Sequence, residues 1–349
     1  DPAVLVVEGT EHAAHNVITA LEATGTTVDR VSPDALPEQL ESYKQYHSIV
    51  LANVPAFQFA EEKMELIRAA VRDFGVGLVM TGGEESFGMG GWFRTPIEEA
   101  LPVYMDLRDK EKIPSLGLML VIDKSGSMDG NGGTSKMALA KEAAIRATQM
   151  LSQKDQIGVV AFDGTPWWVV EPTYVDDVQA IQDDIGSIRA DGGTDILPAL
   201  QTAYEKLSAL DTKRKHIILL TDGQSGGSAQ YETLTESMAA EDITLSTVAV
   251  GRDADTVLLE NLATNADGRY YFVTDDTTIP TIFSKETALA TRSYMVEEPF
   301  QPTWTGGVDW ADGIADLPPL GGYIATTAKE RAELVITSPE PDPVAARWS

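Results

Sequence analysis

Five oxygen-bearing side chains stand where predicted strands end, and together they could hold one ligand. Asp123, Ser125 and Ser127 follow the apolar run LMLVI, Thr194 lies in the loop ADGGTDILPAL, and Asp222 follows the run HIILLT. Open parallel sheets bind ligands at the C-terminal ends of their strands, so we expect these three loops to meet. Alternate residues of a loop that leaves a strand can turn toward one point, which lets the first three side chains converge.

The chemistry of this set points to a hard divalent cation. Carboxylate and hydroxyl oxygens suit Mg²⁺ or Mn²⁺, or else Ca²⁺, and offer nothing to soft metals. Only two of the five side chains are charged, so a bound cation would stay electron-poor and would accept an anionic ligand from outside. Taken alone, the D-x-S-x-S pattern also fits a strand end with capping serines. Thr194 and Asp222, in the expected order on two other loops, favour the metal site.

Other interpretations of the segment DKSGSMDGNGG agree less well with its residues. A calcium-binding EF-hand loop needs Gly at its sixth position and Glu at its twelfth, where this chain has Met128 and Thr134. A phosphate-binding loop needs G-K-[ST], which is missing. Asp129 and Asp195 are expected near the site and could add charge to it, although Asp195 is better explained as a helix N-cap.

Composition narrows the classes of partner. The 349 residues include 26 basic and 54 acidic side chains, for a net charge of −28. Phosphate groups would be repelled, which argues against nucleic acid and against anionic membrane surfaces. The chain contains no Cys, so it has no disulfide, thiolate ligand or Cys nucleophile of its own. No stretch approaches the roughly 18 apolar residues of a membrane helix.

The order of predicted elements indicates an α/β protein with two doubly wound, Rossmann-like domains. The charged segment LRDKEKIPS and the Pro- and Gly-rich segment EEPFQPTWTGG suggest domain boundaries. In residues 1–110 we predict strands at 3–9, 47–54 and 76–83 and helices at 11–25 and 60–75. In residues 113–295 we predict strands at 115–123, 155–163, 166–175, 215–222, 243–251 and 269–274, and helices at 135–152, 176–188, 195–209, 229–241, 255–264 and 279–291.

Residues 113–295 resemble the von Willebrand factor type A domain, and the five side chains match its metal-ion-dependent adhesion site in full. The resemblance implies that the two serines and the threonine bind the metal directly. It implies that the two aspartates bind directly or through water, and that a partner's carboxylate fills the open position. It also implies a mainly parallel sheet with one antiparallel edge strand, for which TPWWVVEPTYV is suitable. Bacterial A domains also assist motor ATPase complexes, a role that differs only in the partner.

Residues 1–107 resemble the class I glutamine amidotransferase-like fold. The resemblance places Gly82 and Gly83 in an oxyanion loop. The glycine-rich segment around them could turn backbone N–H groups toward a ligand, but an ordinary glycine-rich surface loop is the favoured interpretation. The nucleophilic Cys of that family is missing here. Ser86 departs from the G-x-S-x-G elbow because position 84 is Glu. We therefore read this domain as a non-catalytic relative.

The last part of the chain, residues 300–349, is expected to return to the first domain, so that the A domain would be an insertion. The segment GGYIATTAKERAELVITS would then supply later strands of the first sheet. The chain starts without Met and ends in AARWS, so we expect a soluble piece of a longer protein. Its resemblance to membrane-anchored bacterial proteins suggests the extracytoplasmic face of a membrane. An elbow nucleophile could then lie beyond Ser349.

The remaining candidates are histidines and tryptophans. His12 and His15 are predicted to share a helix face, but no HExxH motif or third ligand accompanies them. Surface positions are therefore favoured for the histidines, namely His12, His15, His47 and His216. Trp167 and Trp168 are adjacent on a strand, so one points inward and the other could join a binding surface or cover an edge.

Two functions of different classes follow from these features. The first is a binding module in which a divalent cation, Mg²⁺ or a similar ion, engages an acidic group of a partner protein. The alternative is a hydrolase or amidotransferase-related enzyme that uses Ser86 and the backbone of Gly82 and Gly83. The lack of a base to partner Ser86 favours the first.

Overall fold

The computed structural model describes residues 3–10, 12–105, 115–129, 135–225, 228–291, 295–305, 314 and 316–348. The chain divides into two compact units. The first unit comprises Asp1–Glu111 and Arg292–Ser349, and the second unit comprises Lys112–Thr291. Within the described residues, no helix is long and apolar enough to cross a bilayer.

The first unit begins with a four-stranded parallel sheet of order β2-β1-β3-β4. Its strands are β1 (Ala3–Glu8), β2 (Thr27–Val31), β3 (Tyr46–Ala52) and β4 (Gly77–Thr81), and a short strand, β5 (Val103–Tyr104), follows. Its helices are α1 (His15–Ala23), α2 (Glu61–Phe74) and α3 (Pro96–Ala100). The sequence predicted β1, β3, β4, α1 and α2, but not β2, whose residues TVDRV are mostly exposed and carry no continuous apolar run.

Helix α2 forms where the sequence predicted it, for reasons that can be read from its residues. Met64, Ile67 and Ala70 are buried on one face, and two glutamates in the first turn suit the positive end of the helix dipole. Gly75 follows the last turn with φ of 70°, a left-handed conformation that glycine adopts without strain.

Helix α1 is shorter than predicted, because it begins at His15 rather than at residue 11. His12 lies before the helix with φ of 71°, so the prediction that His12 and His15 share a helix face is wrong.

The second unit is built on a six-stranded sheet of order β11-β10-β9-β6-β7-β8. Its strands are β6 (Leu116–Asp123), β7 (Gln156–Phe162), β8 (Pro166–Tyr174), β9 (Arg214–Thr221), β10 (Ile243–Val250) and β11 (Tyr270–Val273). Its helices are α4 (Lys136–Met150), α5 (Val178–Gly186), α6 (Ile196–Ser208), α7 (Ser228–Ala240), α8 (Thr256–Asn265) and α9 (Ile279–Thr291). All strands run parallel except β8, an antiparallel edge strand, which confirms the predicted fold class.

The central strand β6 determines where the second unit can bind a ligand. Every residue of β6 is buried, and the strand pairs in parallel with β7 on one side and with β9 on the other. In these registers Asp123 is opposite Phe162, and Ile122 is opposite Leu220. The C-terminal ends of the three strands therefore lie at one edge of the sheet.

The C-terminal strands of the first unit do not extend its four-stranded sheet. They are β12 (Met295–Val296), β13 (Thr303–Trp304), β14 (Tyr323–Ile324), β15 (Thr327–Ala328), β16 (Glu333–Thr337) and β17 (Pro343–Arg347). Strand β12 pairs with β14, β15 pairs with β5, and β16 pairs with both β13 and β17. The prediction that GGYIATTAKERAELVITS supplies later strands of the first sheet is therefore wrong, because its strands form separate small antiparallel sheets.

A buried ionic cluster joins α9 to the sheet of the second unit. Glu286 is fully buried and accepts hydrogen bonds from Ser246, Tyr271 and Arg269, with Arg269 Nε 2.7 Å from Oε1. His216 Nε2 lies 3.3 Å from Glu286 Oε2. His216 is only 2% exposed, so the surface position expected for it is wrong.

The charge of Glu286 stabilises the fold only while the carboxyl group is ionised. Burial raises the pKa of Glu286, but His216 and Arg269 outweigh burial and hold it well below its ordinary value of 4.5. Because the pKa is lower in the folded state, the resulting stabilisation is fully present above about pH 4.5 and is lost as the pH falls below that value.

We predict that Glu286→Gln lowers the free energy of unfolding by about 3 kcal/mol at pH 7, because Arg269 loses its buried partner. Urea unfolding between pH 3 and pH 7 measures this effect. The difference from the wild type should shrink as the pH falls below about 4.5. Glu171→Gln is the matched control, since that side chain is 71% exposed. A difference that does not depend on pH would contradict the assignment.

Candidate functional site

Asp123, the last residue of β6, is held by both of its carboxylate oxygens. Oδ1 accepts a hydrogen bond of 2.7 Å from the backbone N–H of Ser125, and Oδ2 accepts one of 2.5 Å from the hydroxyl of Thr221. The side chain is fully buried at the end of the central strand. Thr221 had no predicted role. It precedes Asp222 at the end of β9, which places its hydroxyl beside Asp123.

The two serines connect the first loop to the third. A short 3₁₀ helix, Gly126–Asp129, turns the chain directly after β6. The hydroxyl oxygens of Ser125 and Ser127 are 3.0 Å apart, and Ser127 donates a hydrogen bond of 2.7 Å to Asp222 Oδ1. Four of the five predicted side chains therefore form one connected group.

Thr194 joins this group through packing. A Cβ placed on Gly223 would lie 2.6 Å from Thr194 Oγ1, so the threonine hydroxyl is held against the residue that follows Asp222. The backbone ties the same loop to the first one, because Gly126 donates to the Gly192 carbonyl at 3.1 Å. The structure thus brings all five predicted side chains to one edge of the sheet.

Asp129 and Asp195 make fewer contacts at the candidate site than their positions in the sequence suggested. Asp129 is exposed at the end of the 3₁₀ helix. Asp195 occupies the N-cap position of α6 as predicted, but its side chain makes no capping hydrogen bond. The hydroxyl of Ser225 accepts the Ile196 N–H instead, at 3.3 Å.

Lys124, in the loop after β6, contacts Asp163 in the loop after β7 and Trp167 on β8. Its Nζ is 2.9 Å from Asp163 Oδ2 and 4.3 Å from the centre of the Trp167 ring. This contact holds the pKa of Asp163 below its usual range. Gly192, with φ of 85°, lies so close that an added Cβ would sit 2.8 Å from Asp163. The second loop needs a glycine at this position.

The two adjacent tryptophans of β8 face opposite sides. Trp168 packs against the hydrophobic core of the second unit, whereas Trp167 is 39% exposed. Trp167 pairs with Ala161 near the end of β7, so it lies at the same edge of the sheet as Asp123. The outward residue is therefore Trp167, beside the candidate site.

The electrostatics of the site depend on burial and on one lysine that sequence reasoning missed. Burial raises the pKa of Asp123, as does the neighbouring Asp222, while hydrogen bonds from Thr221 and Ser125 oppose the rise. Lys136 Nζ lies 2.7 Å from Asp222 Oδ2. No local signal marks Lys136, because the two residues are 86 positions apart in the chain.

The donor set fits a hard divalent cation that keeps part of its water. It offers two carboxylates and three hydroxyls, all oxygen ligands of the kind that Mg²⁺ prefers. Among the residues that the structure describes, no cluster of three or more His, Cys, Asp or Glu could hold a metal ion. Any cation at this edge would therefore rely on the hydroxyl groups of Ser125, Ser127 and Thr194.

The glycine-rich segment of the first unit is packed internally. Its N–H groups bond within the unit, from Glu85 to Asn53 Oδ1 and from Gly90 to the Ser86 carbonyl. A Cβ on Gly90 would lie 2.2 Å from the Glu85 carbonyl oxygen, so this position requires glycine for close packing. The N–H of Gly90 therefore does not face a ligand, and the segment is a packed turn at this position.

Ser86 is buried, and its hydroxyl donates to the Gly83 carbonyl at 2.8 Å. This is the geometry of a turn and not that of an exposed nucleophile. A nucleophilic hydroxyl would be expected to donate to a base.

Comparison with known proteins finds a family match within the second unit. Residues 118–285 match the family model of the von Willebrand factor type A domain. An uncharacterized protein of Synechocystis sp. is 30% identical over 168 residues, which cover 47% of this chain and 39% of that protein. The mouse calcium-activated chloride channel regulator 3A-1 is 25% identical over 253 residues, which cover 68% of this chain and 27% of that protein. The chain thus spans less than half the length of these relatives.

Solved structures of other proteins align with parts of this chain. A von Willebrand factor type A protein from Catenulispora acidiphila aligns with a TM-score of 0.48 and 20% identity, over 67% of this chain and 64% of that chain. BatB from Bacteroides thetaiotaomicron aligns with a TM-score of 0.45 and 19% identity, over 51% of this chain and 100% of that chain.

We predict that Gly223→Ala weakens Mn²⁺ binding at least about tenfold, because the added methyl group must displace the Thr194 hydroxyl, and changing a residue that positions a metal ligand costs about ten- to a hundredfold in affinity. Isothermal titration with MnCl₂ measures the change. Gly193→Ala is the matched control on the second loop, since a Cβ there meets nothing within 4 Å. Equal affinities of the two variants would argue against a role for Thr194.

Proposed function

We propose that the von Willebrand factor type A domain at residues 118–285 is a metal-dependent protein-binding module. A divalent cation held by Asp123, Ser125, Ser127, Thr194 and Asp222 would engage an acidic group of a partner protein. The observation that carries this proposal is the connected group of oxygen side chains at one edge of the sheet. The family match supports protein interaction as the general role.

Each side chain has a distinct part in the proposed site. Asp123 and Asp222 would anchor the ion, directly or through water, and the three hydroxyls would complete its protein ligands. Mg²⁺ is the ion we favour, with Mn²⁺ or Ca²⁺ as alternatives that the same oxygens could hold. A cation bound by only two carboxylates supplies an electron-poor centre for an outside carboxylate, so the partner contributes an acidic group and no bond is made or broken.

The composition of the chain supports the choice of partner class. A net charge of −28 disfavours nucleic acid, whose phosphates would be repelled. The same charge would also oppose an acidic partner at long range, so attraction has to arise locally at the cation. This makes binding dependent on the metal.

The first unit is proposed to be a non-catalytic relative of the class I glutamine amidotransferase-like fold. Its parallel order β2-β1-β3-β4 is compatible with that fold, and the buried, turn-bound Ser86 weighs against the alternative of a hydrolase or amidotransferase-related enzyme. We also propose that the second unit is an insertion within the first, whose residues lie on both sides of it in the chain, and that the protein lies at the extracytoplasmic face of a bacterial membrane.

We predict that Asp123→Ala lowers the affinity for Mg²⁺ and Mn²⁺ at least about a hundredfold, because it removes one of two charged ligands. Isothermal titration calorimetry on the full chain measures both ions. Ser127→Ala removes one hydroxyl of an exposed residue and should weaken binding while leaving the hydrogen bonds of the buried Asp123 in place.

The control for this experiment is Asp183→Ala, which removes an exposed carboxylate on α5. Equal and strong binding by the wild type and by Asp123→Ala would overturn the site. Loss of binding in Asp183→Ala as well would indicate an effect of net charge rather than ligation.

We predict that the exposed ring of Trp167 contacts the partner beside the cation. Peptides selected from a display library for Mg²⁺-dependent binding and elution by EDTA should carry Asp or Glu. Trp167→Ala should lower the affinity for these peptides about tenfold or more, as expected for an aromatic residue central to an interface. Tyr174→Ala is the matched control, because it lies at the opposite end of β8 and is 52% exposed. Equal losses in both variants would contradict the prediction.

A further inference from the structure

Lys136 occupies a position that local helix chemistry disfavours. It is the first residue of α4, and the first turn of this helix has no acidic residue. The N-terminal end of a helix carries partial positive charge, so a lysine there is repelled by the helix dipole. A residue that breaks a local rule in this way is expected to have a compensating role elsewhere.

The compensation for Lys136 is its contact with the third loop. Its Nζ lies 2.7 Å from Asp222 Oδ2, and the Asp222 side chain is only 2% exposed. Gly251 lies close to the ammonium group, since a Cβ there would be 3.6 Å from Nζ. Asp276, at the start of the short 3₁₀ helix before α9, also interacts electrostatically with Lys136.

The contact divides the two oxygens of Asp222 between different neighbours. Oδ1 accepts the Ser127 hydroxyl, and Oδ2 faces the Lys136 ammonium. The carboxylate is therefore fixed in orientation, with one oxygen toward the Ser127 hydroxyl and the other held by the Lys136 ammonium group.

The charge of Lys136 affects both the binding of the cation and the binding of a partner's carboxylate to that cation. The carboxylates of Asp123 and Asp222 together with Lys136 give a charge of −1, and a divalent cation would bring this to +1. Without the lysine the same groups would give −2 and, with the cation, zero. Asp276 adds one negative charge in both cases and leaves the difference unchanged.

From these contacts we infer that Lys136 is a positioning residue that weakens cation binding and strengthens binding of a carboxylate to the cation-loaded site. The inference rests on the proposed function, because it describes the same site. Removing one unit of charge beside a divalent cation should change each affinity about tenfold or more, in opposite directions.

The test compares Lys136→Met with the wild type in two titrations on the full chain. The first measures Mn²⁺ affinity from the enhancement of water proton relaxation. The second adds sodium acetate to the Mn²⁺-loaded protein, with sodium chloride as the ionic-strength reference. We expect Lys136→Met to bind Mn²⁺ about tenfold more tightly and acetate about tenfold more weakly.

Two controls separate this effect from general charge and from folding. Lys136→Arg keeps the charge and should behave as the wild type. Lys206→Met removes a positive charge at the far end of α6, where the side chain is 53% exposed, and should change neither affinity. Lys136→Gln, a smaller polar replacement, repeats the test if Lys136→Met does not fold.

A third readout needs no bound partner. In EDTA no metal ion is bound, and Lys136→Met also removes the ammonium group that pairs with the buried Asp222 carboxylate. The melting temperature of the variant should therefore fall below that of the wild type. MgCl₂ should raise its melting temperature more than it raises that of the wild type.

The outcomes distinguish the two proposals. No Mn²⁺ binding by the wild type would overturn the proposed function and this inference with it. Binding by the wild type with unchanged Mn²⁺ and acetate affinities in Lys136→Met would overturn the role of Lys136 alone.

Discussion

The parallel, in-register pairing of β6 with β7 and β9 is the constraint on which the site depends. It places Asp123 beside Phe162 and brings Thr221 close enough to donate to the Asp123 carboxylate. A shift of one residue in either pairing would turn every side chain of the shifted strand to the opposite face. The complete burial of β6 prevents such a shift, because its side chains pack on both sides of the sheet. The same packing that stabilises the core therefore holds the polar residues at its edge.

Much of the second unit could be predicted because its strands are continuous apolar runs and its helices have regular spacing. The run that ends at Asp123 and the alternation of Ser125 and Ser127 are local features, and they predicted that these side chains would lie close together after β6, as the 3.0 Å between the serine hydroxyl oxygens shows. Lys136 and Thr221 could not be found in this way. Their roles arise from contacts with residues 86 and 98 positions away, which only the folded chain brings together.

Several errors of prediction have the same cause: a short segment of sequence does not determine which strand it pairs with or how deeply it is buried. His216 follows three basic residues, so a surface position was reasonable, yet its strand pairs on both sides and its ring reaches the buried Glu286. The C-terminal strands have strand-like composition but pair with one another and with β5. Glycines were likewise ambiguous, since the same residue type serves a ligand loop or a tight turn. In the first unit the contact between Gly90 and the Glu85 carbonyl indicates the turn.

The edge strand β8 limits how another chain can attach to the second unit. It contains Pro166 and Pro172, and its pairing with β7 is irregular around Val159. Proline offers no N–H group and an irregular edge is a poor template, so strand addition along β8 is disfavoured. An aromatic ring can nevertheless remain exposed there without inviting aggregation through the backbone. A partner that binds beside Trp167 is therefore expected to recognise side chains rather than to add a strand to β8.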